Sequence, residues 1–451
     1  MMRKQVGVVL ICAALATSAC GAGGSGEAGG TSNKEKPKSK EGKTVVTLSL
    51  RNPDPFFQVI EKKFEEKYPD IDLQIQSLKQ AGEKWEAGDF EKYVKTTNTA
   101  LLSGKGPDIV DLSDLPVDKY VKGKLLANLN DMFEQDKTLK KDDIHLNILN
   151  GLKKKDGGLY TLPSSFYLRT YIGDGDSIKK ANVQIDDAKW TWNQFEAAAK
   201  KIREKEGDGG KAKRPAFVND PSVVLQELML DRYGEFVDTA SMKAKFDSTS
   251  FTDLLKSIKK TFDEKIMTSE IGEGETALFY SEAFLKPQEL IEKPYEYFSN
   301  PKLLQKPHEE GSKGGIRIIP TNEFGMTANS PVKAEAWTFL AFLYSKDVQS
   351  LQDLKGFSLL KEVNDKKLDE IQKQVKAGTF KLPTGKPVKS IPDEQFNRYK
   401  EFIQKAGSYS AYDMKVLSII GEEAGAYFSG QKPAEEVAKL IQNKATTYLN
   451  E

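Results

Sequence analysis

The chain has 451 residues, enough for two domains that each bury a hydrophobic core. Charged residues make up 29% of it, but 67 lysines and arginines are balanced by 66 aspartates and glutamates. A net charge of only +1 argues against nucleic acid or an anionic surface as the partner. The only cysteines, Cys12 and Cys20, lie near the N-terminus, which excludes an internal disulfide or a cysteine-based zinc site elsewhere.

The N-terminus has the pattern of a secretory leader. Met1 to Lys4 is basic, and Val6 to Ala16 is an apolar run too short to span a membrane as a mature helix. Small residues then precede a cysteine, as in a bacterial lipobox, so residues 1–20 are predicted to be a lipoprotein signal peptide with Cys20 diacylated. Thr17 stands where a lipobox usually has leucine. An ordinary signal peptide with an incidental Cys20 is therefore the alternative.

The first elements of the globular part alternate between strand and helix. Residues 21–43 are rich in glycine, serine and lysine, which predicts a flexible tether. An amphipathic helix is predicted from Phe90 to Leu101, with Phe90, Tyr93, Val94, Thr97 and Leu101 on its packed face, and glycines followed by Pro107 end it. The other predicted segments here are strand Thr44–Leu50, helix Phe56–Tyr68, strand Ile71–Ile75 and strand Asp108–Leu112. This order predicts a doubly wound α/β start.

Shorter patterns predict the remaining elements. A capping box of Thr191 and Gln194 marks one helix start, and Asp247 or Ser248 caps another. The polar, lysine-rich segment Lys361–Pro392 predicts no element. Helices are predicted at Val117–Val121, within Leu125–Phe133, at Asp142–Leu152, from Trp190 past Ile202, at Val223–Arg232, Phe251–Ile266, Pro331–Tyr344, Ala411–Phe428 and Pro433–Tyr448, and strands at the end of Gly157–Pro163, at Ser165–Ile172, Gly274–Tyr280 and Phe324–Ala328.

The order of several phrases resembles the extracellular solute-binding proteins of family 1, the maltose-binding-protein-like lipoproteins that deliver sugars to ABC importers. The resemblance runs from about Thr44 to Leu449 and rests on co-linearity, not on one motif. It implies an α/β, two-lobed periplasmic-binding-protein-like fold with hinge crossings, a ligand cleft between the lobes and no catalysis. The phrases are FEEKYPDIDLQIQ, YVKTTNTALLSGKGPDIVDLSDLP, KLLANLND, GLYTLPSSF, WTWNQFEAAAKKI, NSPVKAEAWTFLAFLYSKDVQ and AYFSGQKPAEEVAKLIQNKATTYL.

The same resemblance implies a domain organisation and partners. Residues 44–163 with about 320–360 would form the first lobe, 164–319 the second, and 361–451 helices that pack on both. The expected protein is a monomer on the extracellular face of a bacterial cytoplasmic membrane, held by its acyl anchor. Its expected partners are a small solute, a sugar above all, and ABC permease subunits, with no cofactor and no nucleic acid.

Motifs for catalysis are missing from the sequence. His145 and His308 fit no metal-ligand spacing and are expected on a helix surface and in a loop, and no nucleophile elbow or phosphate loop occurs. Among 66 acids, a pair suited to glycoside hydrolysis can arise by accident. A surface glycan-active hydrolase thus stays an alternative, as does a sensor-type binding protein that serves a receptor kinase.

A sugar site needs aromatic plates together with carboxylate, amide or guanidinium groups. Such residues fall mostly after predicted strands, where open α/β sheets bind ligands. Trp190, Trp192 and Trp337 are instead expected to pack in the core, Phe166 is equally well a packing residue, and Arg51, Asp114 and Glu282 could be ordinary surface charges. The candidate ligand-binding residues are Arg51, Asn52, Asp54, Phe56, Trp85, Ser113, Asp114, Phe166, Tyr167, Arg169, Tyr233, Glu235, Tyr280, Glu282 and Phe357.

One stretch departs from the family pattern at a predicted binding position. Tyr280-Ser-Glu-Ala-Phe284 stands where relatives often carry a glycine-rich turn and a tryptophan. A tyrosine or phenylalanine would replace the tryptophan plate, so maltose specificity is not carried over from the resemblance.

Overall fold

A computed structural model describes residues 36–52, 54–80, 83–206, 213–239, 241–312, 314–388 and 390–450. The predicted signal peptide, Cys20, most of the tether and nearly all of the predicted loop 207–213 lie outside these residues. From Lys36 onward the chain forms one compact unit. No helix in the described ranges is both long and apolar enough to cross a membrane.

The strands are short except for the first two, β4 and β9. Their bounds are β1 Thr44–Leu50, β2 Ile71–Ser77, β3 Ile109–Asp111, β4 Ser165–Asp174, β5 Phe217–Val218, β6 Val237–Asp238, β7 Lys243–Ala244, β8 Met267–Thr268, β9 Phe279–Phe284, β10 Pro301–Leu304, β11 Arg317–Thr321 and β12 Phe324–Met326.

Helices separate most of these strands and fill the C-terminal region. Their bounds are α1 Pro55–Lys67, α2 Asp89–Leu102, α3 Val117–Lys122, α4 Asn130–Gln135, α5 Leu146–Leu152, α6 Gly175–Lys180, α7 Trp192–Glu206, α8 Pro221–Phe236, α9 Thr249–Asp263, α10 Glu289–Tyr297, α11 Lys333–Phe342, α12 Lys346–Gln349, α13 Lys361–Lys376, α14 Asp393–Lys405, α15 Met414–Phe428 and α16 Ala434–Asn450.

The first sheet has the strand order β12-β3-β1-β2. Strand β1 runs parallel to β2 and to β3, while the returning strand β12 is antiparallel to β3. The carboxyl ends of β1, β2 and β3 therefore meet at one edge, as the doubly wound start predicted. Apolar side chains such as Val46, Leu48 and Ile109 are fully buried and pack this sheet against α1 and α11.

The second sheet is antiparallel and built on the long strand β4. Strands β11 and β10 pair with successive parts of β4, and β9 pairs with the stretch that overlaps both. Hence β10 and β11 share one edge of β4 and β9 takes the other. Because side chains alternate along a strand, Leu168 and Ile172 of β4 face the first core cluster, while Tyr171 faces a second cluster with α7, α8, α9, α15 and α16.

Three crossing segments join the two sheets side by side. Leu162 exchanges backbone hydrogen bonds of 2.9 and 2.8 Å with Phe324, and Ser164 N donates to Thr321 O at 3.0 Å. Phe166 and Phe357 likewise exchange backbone hydrogen bonds, at 3.2 and 2.7 Å. Paired crossing strands of this kind are the hinge crossings that the resemblance implied.

Several sequence predictions are confirmed to within a few residues. The predicted strand Thr44–Leu50 is β1, and Thr191 and Gln194 form the expected capping box, with Thr191 N donating to Gln194 Oε1 at 3.0 Å. Ser248 caps α9. Trp190 is buried in the core as expected.

Other predictions are wrong, each for a reason visible in the packing. Phe90 is 41% exposed, so the packed face of α2 consists of Tyr93, Thr97 and Leu101, with Val94 partly buried beside them. The predicted strand Gly274–Tyr280 begins only at Phe279, after Gly274 adopts a left-handed φ of 79°. Only a single bridge forms at the end of Gly157–Pro163.

The helix predicted from Asp142 is split, because Ile144 is drawn into a bridge with Leu360. His145 is consequently buried instead of lying on a helix surface, and burial lowers its pKa to about 4. Helix α11 begins at Lys333, two residues after Pro331. Half of the unplaced segment Lys361–Pro392 is helix α13.

Candidate functional site

The carboxyl edge of the first sheet gathers the candidates that follow β1 and β3. Arg51 forms an ion pair with Asp114, because the parallel register places the ends of these strands next to each other. The Arg51 guanidinium carbon lies 5.8 Å from the centroid of the Trp85 ring, and Trp85 Nε1 donates to Asn52 Oδ1. Four residues that are distant in sequence thus form one half-exposed polar and aromatic patch.

Asp54 and Phe56 follow β1 and lie at the start of α1, where Asp54 is the N-cap residue. The Asp54 carboxylate accepts from Phe56 N at 3.0 Å and ion-pairs with Lys355, which precedes Phe357 in the third crossing. The Phe56 side chain is buried against Phe57. Tyr167 is half-buried, and Lys355 and Asp54 are both close enough to act on its pKa, which burial raises.

Two buried carboxyl groups lie beneath this edge. Asp111 Oδ1 accepts from Ser113 Oγ at 2.6 Å, and its Oδ2 accepts from Asn322 Nδ2 at 2.9 Å. Glu323 accepts from Thr161 Oγ1 at 3.0 Å, and its backbone N donates to Ser113 Oγ at 3.0 Å. Burial raises the pKa of Asp111 and raises the pKa of Glu323 to about 7.

The second sheet presents cations on the face that also carries Tyr171. Arg169 of β4 lies directly opposite Arg317 of β11, and Arg169 forms an ion pair with Glu227 of α8. Lys306 lies 3.5 Å from Glu227 Oε2 and 2.8 Å from Asp231 Oδ2. These five side chains are called the basic cluster below. Like charges opposite each other in a sheet are destabilising unless they are compensated.

Glu227 stays ionised in spite of its burial. Burial is the largest influence on its pKa and opposes ionisation, but Lys306, Arg169 and Arg317 outweigh it and hold the pKa below its usual value. Glu227 is 4% exposed, on an otherwise apolar face of α8. A lone acid among Val224, Leu225 and Leu228 was the sequence signal that could have revealed it.

The segment that precedes α15 joins the two regions. It runs beside β11, since Ile318 N donates to Ser408 O at 2.9 Å. Tyr409 OH is 3.5 Å from Glu323 Oε1. Burial raises the pKa of Tyr412. The charges of Glu323 and Asp114 also raise this pKa, whereas those of Arg317 and Arg169 lower it. Tyr412 therefore lies within electrostatic reach of both the first-sheet edge and the basic cluster.

The remaining sequence candidates lie elsewhere. Phe166 and Phe357 stack with centroids 5.6 Å apart, and both are fully buried. Tyr233 is buried in the second core cluster, while Glu235 at the end of α8 pairs with Arg232. Their predicted contact with a ligand is not tested by these positions, but Phe166, Phe357 and Tyr233 present little free surface.

Tyr280 and Glu282 face away from the basic cluster. In the β4–β9 register they stand opposite Ile172 and Thr170, whereas Arg169 stands opposite Ala283. Tyr280 stacks on Tyr297 of α10 with centroids 3.9 Å apart, and Tyr297 OH donates to Glu282 at 2.5 Å. Sequence reasoning identified the right strand, but a shift of one residue puts a side chain on the opposite face.

Residues that the sequence analysis missed complete the arrangement. Arg317 interrupts the apolar run Ile316–Ile319 as a lone charge, which is a readable signal. No comparable signal distinguishes the others, since acids, lysines and tyrosines are frequent in this chain. The missed residues are Asp111, Glu227, Asp231, Lys306, Arg317, Glu323, Tyr409 and Tyr412.

The arrangement is suited to holding a polar solute. Groups of histidine, cysteine, aspartate and glutamate that could hold a metal ion do not occur among the described residues. Carboxylates, guanidinium groups and aromatic rings can together surround a small hydroxylated molecule.

Solved structures share this fold at low sequence identity. An extracellular solute-binding protein family 1 member from Alicyclobacillus acidocaldarius aligns with a TM-score of 0.57 and 16% identity over 93% of this chain and 100% of its own. A sugar transporter protein from Rhizobium etli in an open conformation aligns with a TM-score of 0.56 and 16% identity over 89% and 99%. An ABC substrate-binding protein from Listeria monocytogenes, solved with cycloalternan, gives 0.52 and 17% over 90% and 99%.

These similarities establish the two-lobed architecture of periplasmic solute-binding proteins for this chain. A family profile described as bacterial extracellular solute-binding protein matches residues 49–350, which is about two thirds of the sequence. That match covers the first-sheet edge, the first two crossings and the basic cluster. The chain belongs to the family of bacterial extracellular solute-binding proteins.

Proposed function

We propose that this protein is the carbohydrate-binding component of an ABC importer and releases its ligand chemically unchanged. The observation that carries the proposal is the patch at the first-sheet edge, where the Trp85 ring lies beside Arg51, Asn52 and Asp114. An aromatic face flanked by groups that hydrogen-bond in pairs suits the apolar face and hydroxyl rim of a sugar. Relatives of the same fold were solved with cycloalternan or named as sugar transporters, which supports this ligand class.

The ligand would lie between the first-sheet edge and the basic cluster and would be enclosed by lobe closure. Lys119 of α3 donates to Tyr448 O of α16 at 3.3 Å, and its Nζ lies 4.7 Å from the centroid of the Tyr448 ring. This contact links residues 329 positions apart, one near the first sheet and one in the second core cluster. A hinge at the three crossing segments would allow the contact to form and break.

The lobes would have the bounds expected from sequence, 44–163 with about 320–360 and 164–319. Core packing supports the expectation that the C-terminal helices pack on both lobes. Helices α13 and α14 contribute to the first core cluster, and α15 and α16 contribute to the second. We further propose a monomer anchored outside the cell through Cys20. Intact-mass measurement of the membrane fraction checks the anchor, and an unmodified Cys20 would contradict it.

Thermal unfolding against mono- and oligosaccharides tests the ligand class. At about 100 times the dissociation constant, a ligand should stabilise the protein by about 2.7 kcal/mol, visible as a higher Tm. The sugar should be recovered intact, whereas a hydrolase would consume it. No shift with any saccharide would contradict carbohydrate binding.

A variant of Trp85 tests the site within the same experiment. Trp85→Ala should weaken binding by about fivefold, because one aromatic contact contributes on the order of 1 kcal/mol. Trp337→Phe is the control. Trp337 lies on helix α11, away from the strand ends, and donates a hydrogen bond to Asp136. Equal affinity of Trp85→Ala and the unmodified protein would remove Trp85 from the site.

A further inference from the structure

Arg317 is a buried charge that makes no side-chain hydrogen bond or ion pair with the described residues. The residue is 6% exposed, and its Nε and Nη1 atoms are buried without a hydrogen-bond partner among the described residues. Arginine remains protonated under all physiological conditions, so this charge cannot be relieved by losing a proton. A buried, unpaired charge is destabilising, and such groups are normally paired.

The neighbouring acids are already engaged. In the basic cluster, Glu227 is held by Arg169 and Lys306, and Asp231 by Lys306. Three cations thus face two carboxylates, and the surplus positive charge is that of Arg317. Of the acids at the first-sheet edge, Asp114 is paired with Arg51.

The two carboxyl groups beneath the edge do not supply the missing negative charge either. Asp111 accepts hydrogen bonds from Ser113 and Asn322, and Glu323 from Thr161. Burial raises the pKa of both groups, so it favours their neutral form. Glu227 acts on Arg317 only at longer range, since its ion pairs are with Arg169 and Lys306. An anion from outside the chain could therefore pair directly with Arg317.

We propose that the solute is an anionic saccharide whose acidic substituent pairs with Arg317. This inference rests on the proposed function, because it specifies which carbohydrates the site prefers. A guanidinium group offers parallel N–H donors that match a carboxylate, sulfate or phosphate oxygen pair. The hydroxyls of the sugar ring would meanwhile reach Arg51, Asn52 and Asp114, and Tyr412 would lie between the two regions.

Calorimetric titration of the full chain with matched saccharides tests this proposal. The pairs are digalacturonate against the neutral galactose disaccharide, and a sulfated and a phosphorylated disaccharide against their parent sugars. The acidic member of at least one pair should bind about tenfold to hundredfold more tightly, as expected for a charge-assisted hydrogen bond. The pair that shows the preference identifies the acidic group. Acetate, sulfate and phosphate alone are the controls. If one of these anions binds as tightly as the acidic saccharide, the result would contradict a saccharide ligand.

Variants of Arg317 identify the residue responsible. Arg317→Gln should bind acidic and neutral members equally, and Arg317→Lys should retain part of the preference. Arg398→Gln makes the same charge change outside the basic cluster, where Arg398 contacts Leu303 O and Asp187, and should keep the full preference. Retention of the preference in Arg317→Gln would overturn the assignment.

The possible failures are distinguishable. If neutral and acidic saccharides bind the unmodified protein equally, the inference is wrong while carbohydrate binding stands. If no saccharide binds, the proposed function itself fails. If Arg317→Gln does not fold, the salt dependence of binding to the unmodified protein provides the test. Between 50 and 500 mM KCl, the affinity for the acidic saccharide should fall about tenfold more than the affinity for the neutral one. Equal salt dependence would overturn the proposal.

Discussion

The first-sheet edge and the basic cluster bury charge in opposite ways. Asp111 and Glu323 can take up a proton, because burial raises the pKa of Asp111 above its usual value and raises the pKa of Glu323 to about 7. Arg169 and Arg317 cannot lose one, so that side of the molecule depends on carboxylates such as Glu227. A buried carboxyl group can therefore become neutral by taking up a proton. A buried arginine keeps its charge and requires a counter-ion, which comes from the chain or from a ligand.

The largest test of this contrast is to remove the counter-ion. Glu227→Gln leaves Arg169 and Lys306 without their shared partner, so we expect the free energy of unfolding to fall by about 3–5 kcal/mol. Urea denaturation at pH 7 measures it. Glu235→Gln is the matched control, because the carboxylate there is 43% exposed and pairs with Arg232 at the surface. A loss below about 1 kcal/mol for Glu227→Gln would show that the cluster is compensated in another way.

The second test concerns Glu323, the buried carboxyl group beneath the first-sheet edge. The folded-state pKa of Glu323 is about 7 against an ordinary value of 4.5, so its protonated form favours folding. That contribution is complete below about pH 4.5 and is lost as the pH rises through about 7. Glu323→Gln should therefore gain about 3 kcal/mol of stability relative to the unmodified protein between pH 4.5 and 8.

Urea midpoints of both proteins across this pH range provide the measurement. Glu66→Gln, which removes one acid at an exposed position of α1, controls for the general effect of charge. A constant difference between Glu323→Gln and the unmodified protein would mean that Glu323 does not titrate in this range and that the contrast is overstated.

The smallest expected effect is at the ion pair of the first-sheet edge. Arg51 and Asp114 have side chains 38% and 34% exposed, so water screens their attraction. Arg51→Gln should change the free energy of unfolding by less than about 1 kcal/mol, in contrast to Glu227→Gln. The same denaturation assay checks it. A loss as large as that of Glu227→Gln would show that exposure does not separate the two regions.

The sequence predicted the elements whose signals are local. Strand β1 and the capping box at Thr191 and Gln194 follow from alternation and from residues three positions apart. Helix α13 was missed because its buried residues Val363 and Leu368 are embedded in a lysine-rich segment. Tyr280 and Glu282 were predicted at the site because the sequence identifies a strand more easily than the face that each residue occupies.

By itself, the sequence determined the α/β order, the leader pattern, the lack of catalytic motifs and the likeness to solute-binding proteins. These properties depend on local periodicity, on composition and on the order of short phrases. Only the tertiary structure decided that Arg169 stands opposite Arg317 and that Glu227 of α8 forms an ion pair with Arg169. It also decided that Tyr412 lies within electrostatic reach of both arginines and of Asp114. Such pairings are set by strand register and by contacts across hundreds of residues, and burial then determines which charges need a partner.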